Sequence, residues 1–262
     1  MPDADLSLAV PAVFFGSVGT AGQRCTSTRR LYLHRAIAPE FLSRLQTLYA
    51  SSALRPGDPL DAGTLLGPLH SRAALDVHDN AIAELRAAGA QILVGGDAIN
   101  GGRYEDIPAP LDRGNFVRPT IAIPSKYHKS TAKFFSSKSS SKTTAAAAAA
   151  AGSTTTNDAE LELEEHGGSL WGTERFAPVL LVAEFEELEE AIAWNNAVPQ
   201  GLSSSLWTRD VRHVGKWIGP AGSDAGIVNV GVYFTLLFSS PCSLGLLICL
   251  PRRSTSARAA QR

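Results

Sequence analysis

Between about Ser125 and Ser169 the chain carries a stretch that cannot belong to a packed core, and anything this sequence folds into must close around it. Five lysines (Lys126, Lys129, Lys133, Lys138, Lys142) are spread among serines; seven alanines, Ala145 to Ala151, follow, and five acids close the stretch (Asp158, Glu160, Glu162, Glu164, Glu165). Such a segment buries little apolar surface, so it reads as a disordered insertion or exposed loop. Seven alanines are too few for a helix that stands alone. A basic-then-acidic tether for a partner is the functional alternative, and the stretch is taken as inert.

On either side of it the sequence is ordinary and globular, with helical and strand periods alternating, which points to an α/β fold. Pro39 suits a first helical turn, and Phe41, Leu45 and Leu48 follow at helical spacing with Leu42 and Tyr49 beside them. From Ser71 to Ala88 the positions Ala74, Val77, Ala81, Leu85 and Ala88 repeat the pattern, with Gly89 as the stop. Strand-length apolar runs occupy Gln91 to Val94, Phe116 to Ile123 and Val179 to Ala183. The run Val179-Leu180-Leu181-Val182 has no alternation, as expected of a strand covered on both faces in a largely parallel sheet flanked by helices. A helix from about Glu186 to Asn195 would pack Leu188 and Ile192 beneath four glutamates. The expected division is therefore a first part at 1–124, the low-complexity insert at 125–169, a second part of the same domain at 170–231, and a tail at 232–262.

In the tail, Tyr233 to Leu250 is apolar apart from Thr and Ser positions, and Arg252, Arg253, Arg258 and Arg262 follow. A tail anchor is one reading. The stretch is slightly short of the ~20 residues a spanning helix needs and Pro241 interrupts it, so membrane insertion is disfavoured. The 24 Lys+Arg against 25 Asp+Glu leave a formal net charge of -1, with no electrostatic footprint for nucleic acid. Asp3 and Asp5 stand where a signal peptide would be basic, and with no targeting signal visible the cytoplasm or the mitochondrial matrix is expected.

Most chemical signatures are absent: there is no GxGxxG, GxxxxGK[ST], HExxH or CxxC, and the six histidines lack metal-ligand spacing, so no metal site is expected. One constellation remains, Gly19-Thr20-Ala21-Gly22-Gln23-Arg24-Cys25-Thr26, between a helix ending near Val18 and the strand-like Arg30 to Leu33. Glycines let a backbone approach a substrate closely. A neighbouring arginine favours the thiolate, the form of cysteine that attacks an electrophilic carbon. The alternative is a Cys25 that merely packs as a small apolar side chain. Three widely spaced cysteines, Cys25, Cys242 and Cys249, suit a reducing compartment.

The stretch Gly22 to Thr26 resembles the nucleophile motif of the NAD(P)-dependent aldehyde dehydrogenase superfamily. Gly67-Pro68-Leu69, Asn115-Phe116-Val117 with Arg118-Pro119-Thr120, Glu174-Arg175-Phe176-Ala177-Pro178, and Asn196 with Gly201-Leu202-Ser203 resemble its later motifs in the same order. Gly19 to Thr26, Trp194-Asn195-Asn196, Gln200 to Ser205, and Gly219-Pro220 through to Val230 carry a finer resemblance to the α-aminoadipic semialdehyde dehydrogenase (antiquitin) branch. The resemblance covers roughly residues 3–124 and 170–230. It implies the family's α/β catalytic domain, a small-molecule aldehyde substrate, NAD as cofactor and a place in lysine catabolism. It also implies that Cys25 attacks the aldehyde, that Glu174 accepts hydrogen bonds from the nicotinamide ribose, that Phe176 packs near the nicotinamide, and that Arg24 serves the distal carboxylate of an acidic semialdehyde.

The sequence also departs from that pattern. The family's dinucleotide-binding domain, the glutamate general base of its Glu-Leu-Gly-Gly motif and the asparagine of the oxyanion hole have no counterpart here. After Val230 the resemblance stops, and the C-terminal strand through which family members form homo-oligomers is replaced by the tail. The chain is accordingly expected to be a truncated catalytic domain without a complete NAD site and inactive alone. The other classes left open are a non-catalytic chain that binds a full-length homologue and a tail-anchored membrane protein.

Overall fold

A computed structural model gives the fold of the protein and describes residues 1–51, 54, 56–96, 114–124, 169–231 and 248–249. The expected insert and tail fall outside this set, apart from Ser169, Ile248 and Cys249. Four strands form the main sheet: β1 (Arg30–His34), β2 (Gln91–Val94), β3 (Thr120–Ile123) and β4 (Val179–Phe185), in the order β1-β4-β3-β2. β4 runs parallel to β1, with Arg30 opposite Leu181, and parallel to β3, with Thr120 opposite Val179. All seven residues of β4 are buried, as its unbroken apolar run requires of a strand flanked on both edges and covered on both faces. β2 closes the far edge antiparallel to β3, with an irregularity between Ile92 and Val94. Residues 125–168 thus lie within the connection from β3 to β4, parallel neighbours that need a long crossover in any case. Strand β3 starts at Thr120, later than the apolar run beginning at Phe116; Phe116 and Val117 are buried ahead of it.

A second, smaller sheet pairs β5 (Ser203–Leu206) in parallel with β6 (Ile227–Val230), and β7 (Ile248–Cys249) lies antiparallel to β6. The family resemblance implied a largely parallel sheet, and three of the five strand pairings are parallel.

The helices follow local signals. α1 (Leu6–Val18) begins at Asp5, whose carboxylate accepts from the Ser7 amide at 3.0 Å. α2 (Ala38–Tyr49) has Pro39 in its first turn and buries Phe41, Leu42, Leu45 and Tyr49. The two helices meet where the Phe14 and Tyr49 rings pack edge to face at 5.6 Å and the Ser17 hydroxyl lies 2.8 Å from that of Tyr49. α3 (Arg72–Ala87) starts on the Ser71 cap, which accepts from the Ala74 amide at 3.1 Å. Its buried stripe is Ala74, Leu75, His78, Ala81, Ile82 and Leu85. Val77, expected inside, is 43% exposed, and Ala88 is exposed too. The helix is turned so that Leu75 and Ile82 enter the core, and His78 comes in with them. After the short α4 (Ser169–Gly172), α5 (Leu188–Asn196) opens on a capping box formed by Glu187 and Glu190, and α6 (Val211–Ile218) on the Asp210 cap. Among the described residues no helix is long and apolar enough to cross a membrane.

Candidate active site

The connection from α1 to β1 is built from residues in an uncommon backbone conformation. After α1 a single tight turn covers Gly19–Gly22, in which Thr20 (φ 57°), Ala21 (φ 52°) and Gly22 (φ 70°) are all left-handed. Only glycine adopts this without a penalty. Gly22 needs its missing side chain for a second reason: a Cβ there would sit 2.5 Å from the carbonyl carbon and oxygen of Ala177 and 2.7 Å from the Pro178 nitrogen. The turn therefore lies directly on the 177–178 backbone.

Gln23 holds the turn to a third segment. Its amide oxygen accepts from the His70 amide at 2.9 Å, and its amide nitrogen donates to the carbonyls of Pro68 and Thr20, each at 3.2 Å. The next four residues close on themselves: the Arg24 amide donates to the Ser27 hydroxyl at 3.1 Å, and the Ser27 amide returns to the Arg24 carbonyl at 3.0 Å. Cys25 and Thr26 are left at the exposed tip.

Arg24 turns back from this tip. Its guanidinium donates to the Phe15 carbonyl at 2.8 Å and lies 4.7 Å from the centre of the Phe15 ring. Arg29 takes the opposite side, 3.2 Å from a Glu174 carboxylate oxygen and 4.7 Å from the centre of the Phe176 ring, and donates to the Arg24 carbonyl at 3.0 Å. Burial holds the Arg29 guanidinium below its ordinary pKa, while the Glu174 charge and the Cys25 sulfur pull it back up. Between Glu174 and Phe176, buried Arg175 donates to the carbonyls of Leu170 (2.9 Å) and Thr173 (3.2 Å) and pairs with Glu84 of α3 at 2.7 Å. Phe176 itself has φ 46° and is 37% exposed.

A cavity of ≈820 Å³ opens between β1 and the second sheet, and Arg24, Cys25, Arg29 and Glu174 all line it, as do Trp171 and Asn195. Phe176 is not part of that lining; it joins the group through Arg29. Three of the four residues singled out from sequence thus share one cavity. Gln23, Arg29 and Arg175, which hold them there, carried no role in the sequence reading. The only signals for them were positional: Gln23 and Arg175 sit inside quoted motifs, and Arg29 begins the Arg-Arg pair ahead of β1.

The sequence profile of the Aldehyde dehydrogenase family matches residues 1–134 and 163–241. The chain belongs to that family. Among its relatives are aldehyde dehydrogenase family 7 member A1 of Pisum sativum, 41% identical over 232 residues, and alpha-aminoadipic semialdehyde dehydrogenase of Bos taurus, 38% identical over 230. Each alignment takes in 88% of this chain, but only 35% and 33% of the respective relative, so the chain spans about a third of their length. The fold superposes on lactaldehyde dehydrogenase from Escherichia coli with a TM-score of 0.62 and 26% identity, covering 88% of this chain and 37% of that one. The family's α/β fold is therefore present in this chain, and the Cys25 turn falls within the matched residues.

Proposed function

We propose that this chain supplies the nucleophile half of an NAD(P)-dependent aldehyde oxidation, with Cys25 as the attacking group. One observation carries the reading: an exposed cysteine at the tip of a turn fastened on three sides, in the wall of a cavity that it shares with four arginines, Arg24 and Arg29 among them, and the Glu174 carboxylate. The Cys25 sulfur would add to the aldehyde carbon to give a thiohemiacetal, with the new oxyanion held in part by the cysteine's own backbone N–H. NAD(P), when bound, would accept the hydride that turns this adduct into a thioester, which water then hydrolyses to the acid.

The residues present fit a nicotinamide nucleotide in one respect. Glu174 puts a carboxylate on the cavity wall, an acceptor for two ribose hydroxyls, and Phe176, two residues on, offers an exposed ring. No Glu-Leu-Gly-Gly occurs in these 262 residues, so the general base and the remaining cofactor contacts are not assigned to this chain. Residues 1–124 and 170–231 act as one catalytic domain in this reading, supported by the seating of β4, from the second part, between β1 and β3 of the first. The aldehyde is an acidic semialdehyde, supported by Arg24 on the cavity wall and by the name of the Bos taurus relative.

Alkylation of the purified chain with iodoacetamide, read peptide by peptide, tests this. Cys25 should react faster than Cys242 and Cys249, and α-aminoadipic semialdehyde should protect it better than propanal. Equal rates at the three cysteines would overturn the proposal.

A further inference from the structure

Three groups on opposite sides of the site converge on one side chain that no motif singled out. One terminal nitrogen of Arg29 donates to the Arg24 carbonyl, immediately before Cys25, at 3.0 Å. The other terminal nitrogen lies 3.2 Å from Glu174 Oε1, and the guanidinium carbon stands 4.7 Å over the Phe176 ring. The side chain is only 20% exposed, and its Nε is buried without an acceptor among the described residues. A planar guanidinium can make all three contacts together because its N–H groups are fixed in a fork while its face stays free for a ring.

We infer that Arg29 is the positioning residue of this site, locking the Cys25 turn to the Glu174–Phe176 segment so that nucleophile and cofactor-facing carboxylate keep one arrangement. The inference rests on the proposed function for the roles of those two ends, but the lock itself is a property of this chain. Arg24, the nearer arginine in sequence, turns the other way, donating to the Phe15 carbonyl and standing over the Phe15 ring. Whatever draws the Glu174 carboxylate away from Arg29 is then felt at the carbonyl that precedes Cys25.

The test uses the full chain and four variants: Arg29→Met, Arg29→Lys, Glu174→Gln and the Arg29→Met/Glu174→Gln double. Arg35→Met is the control, since Arg35 pairs with Glu186 at the far end of β1. Two readouts are taken, the iodoacetamide rate at Cys25 and amide hydrogen exchange over residues 20–28 and 173–178. Arg29→Met should slow Cys25 alkylation about threefold or more and raise exchange in both segments together. Arg29→Lys, which keeps the charge, should restore most of the rate. The double variant should behave like Arg29→Met alone, because coupled residues are not additive. Unchanged or faster alkylation in Arg29→Met, or additive effects in the double variant, overturns the inference. Should Arg29→Met fail to fold, Glu174→Gln carries the comparison: increased exchange at 20–28 supports the lock, and its absence refutes it. If Cys25 proves no more reactive than Cys242 and Cys249 while both segments still loosen together, the proposed function falls and the lock stands.

Discussion

The Cα of Gly22 faces the carbonyl of Ala177 so closely that a methyl group added there would lie 2.5 Å from both of its atoms. This contact lays the turn carrying Cys25 directly against the segment carrying Glu174 and Phe176, two stretches far apart in the sequence. It also makes the position intolerant for two independent reasons, the left-handed φ of 70° and the absence of space.

Gly22→Ala should therefore destabilise the chain by about 2–4 kcal/mol, combining the left-handed backbone penalty with an overlap against main chain that cannot swing away. Gly215, in the middle of α6, is the contrasting case, since a Cβ there would meet nothing within 4 Å. Gly215→Ala should stabilise by roughly 0.5–1 kcal/mol, because alanine loses less backbone freedom in a helix. Urea unfolding midpoints for the two variants should move in opposite directions.

Gln23 has its amide oxygen on the His70 amide and its amide nitrogen on the Pro68 and Thr20 carbonyls. Gln23→Ala removes all of these at once, with an expected loss of about 1–2 kcal/mol. The more specific sign is local: amide exchange at His70 should speed up while the α2 core stays protected. Protection unchanged at His70 would show that the turn does not depend on this side chain.

Much of the fold was legible because burial leaves a mark on composition. β4 could be read from four consecutive branched or aliphatic residues, since a strand covered on both faces has no polar alternation to offer. α2 could be read from Pro39 and its apolar spacing. The face of α3 could not, because hydrophobicity alone sends Val77 inward and His78 outward. The helix instead buries Leu75 and Ile82, and those two place the histidine in the core. Of the site, Arg24, Cys25, Glu174 and Phe176 could be named from motifs. Their mutual arrangement could not, because it depends on Arg29 and Arg175, whose partners lie in segments that meet only once β4 is seated between β1 and β3.

Arg175 and Glu84 contribute unequally to their shared ion pair. Arg175 is 8% exposed and also serves two carbonyls, whereas Glu84 is 53% exposed. Arg175→Met strands the Leu170 and Thr173 carbonyls and should cost about 1–3 kcal/mol. Glu84→Gln removes only a solvent-screened charge and should cost less than about 1 kcal/mol. Equal losses in urea unfolding would mean that the ion pair, rather than the carbonyl contacts, holds the Glu174–Phe176 segment.

His78 gives the fold a pH dependence whose sign follows from its surroundings. Its ring is 2% exposed, and burial holds its pKa below the ordinary value; the hydrogen bond from Nδ1 to Asp79 at 3.1 Å and the backbone at Arg118 pull the other way without cancelling that effect. The folded chain thus favours the neutral ring, while the unfolded chain binds a proton at the ordinary histidine value of ~6.5. Above that pH both states are neutral and His78 adds no slope. As the pH falls below it, the unfolded state takes up the proton first and stability is lost until the folded-state pKa is passed. His78→Gln removes this proton uptake and leaves the carboxylates untouched. Urea midpoints at pH 7.5 and pH 5 should therefore fall further for the native chain than for His78→Gln. An equal fall in both would place the proton uptake elsewhere.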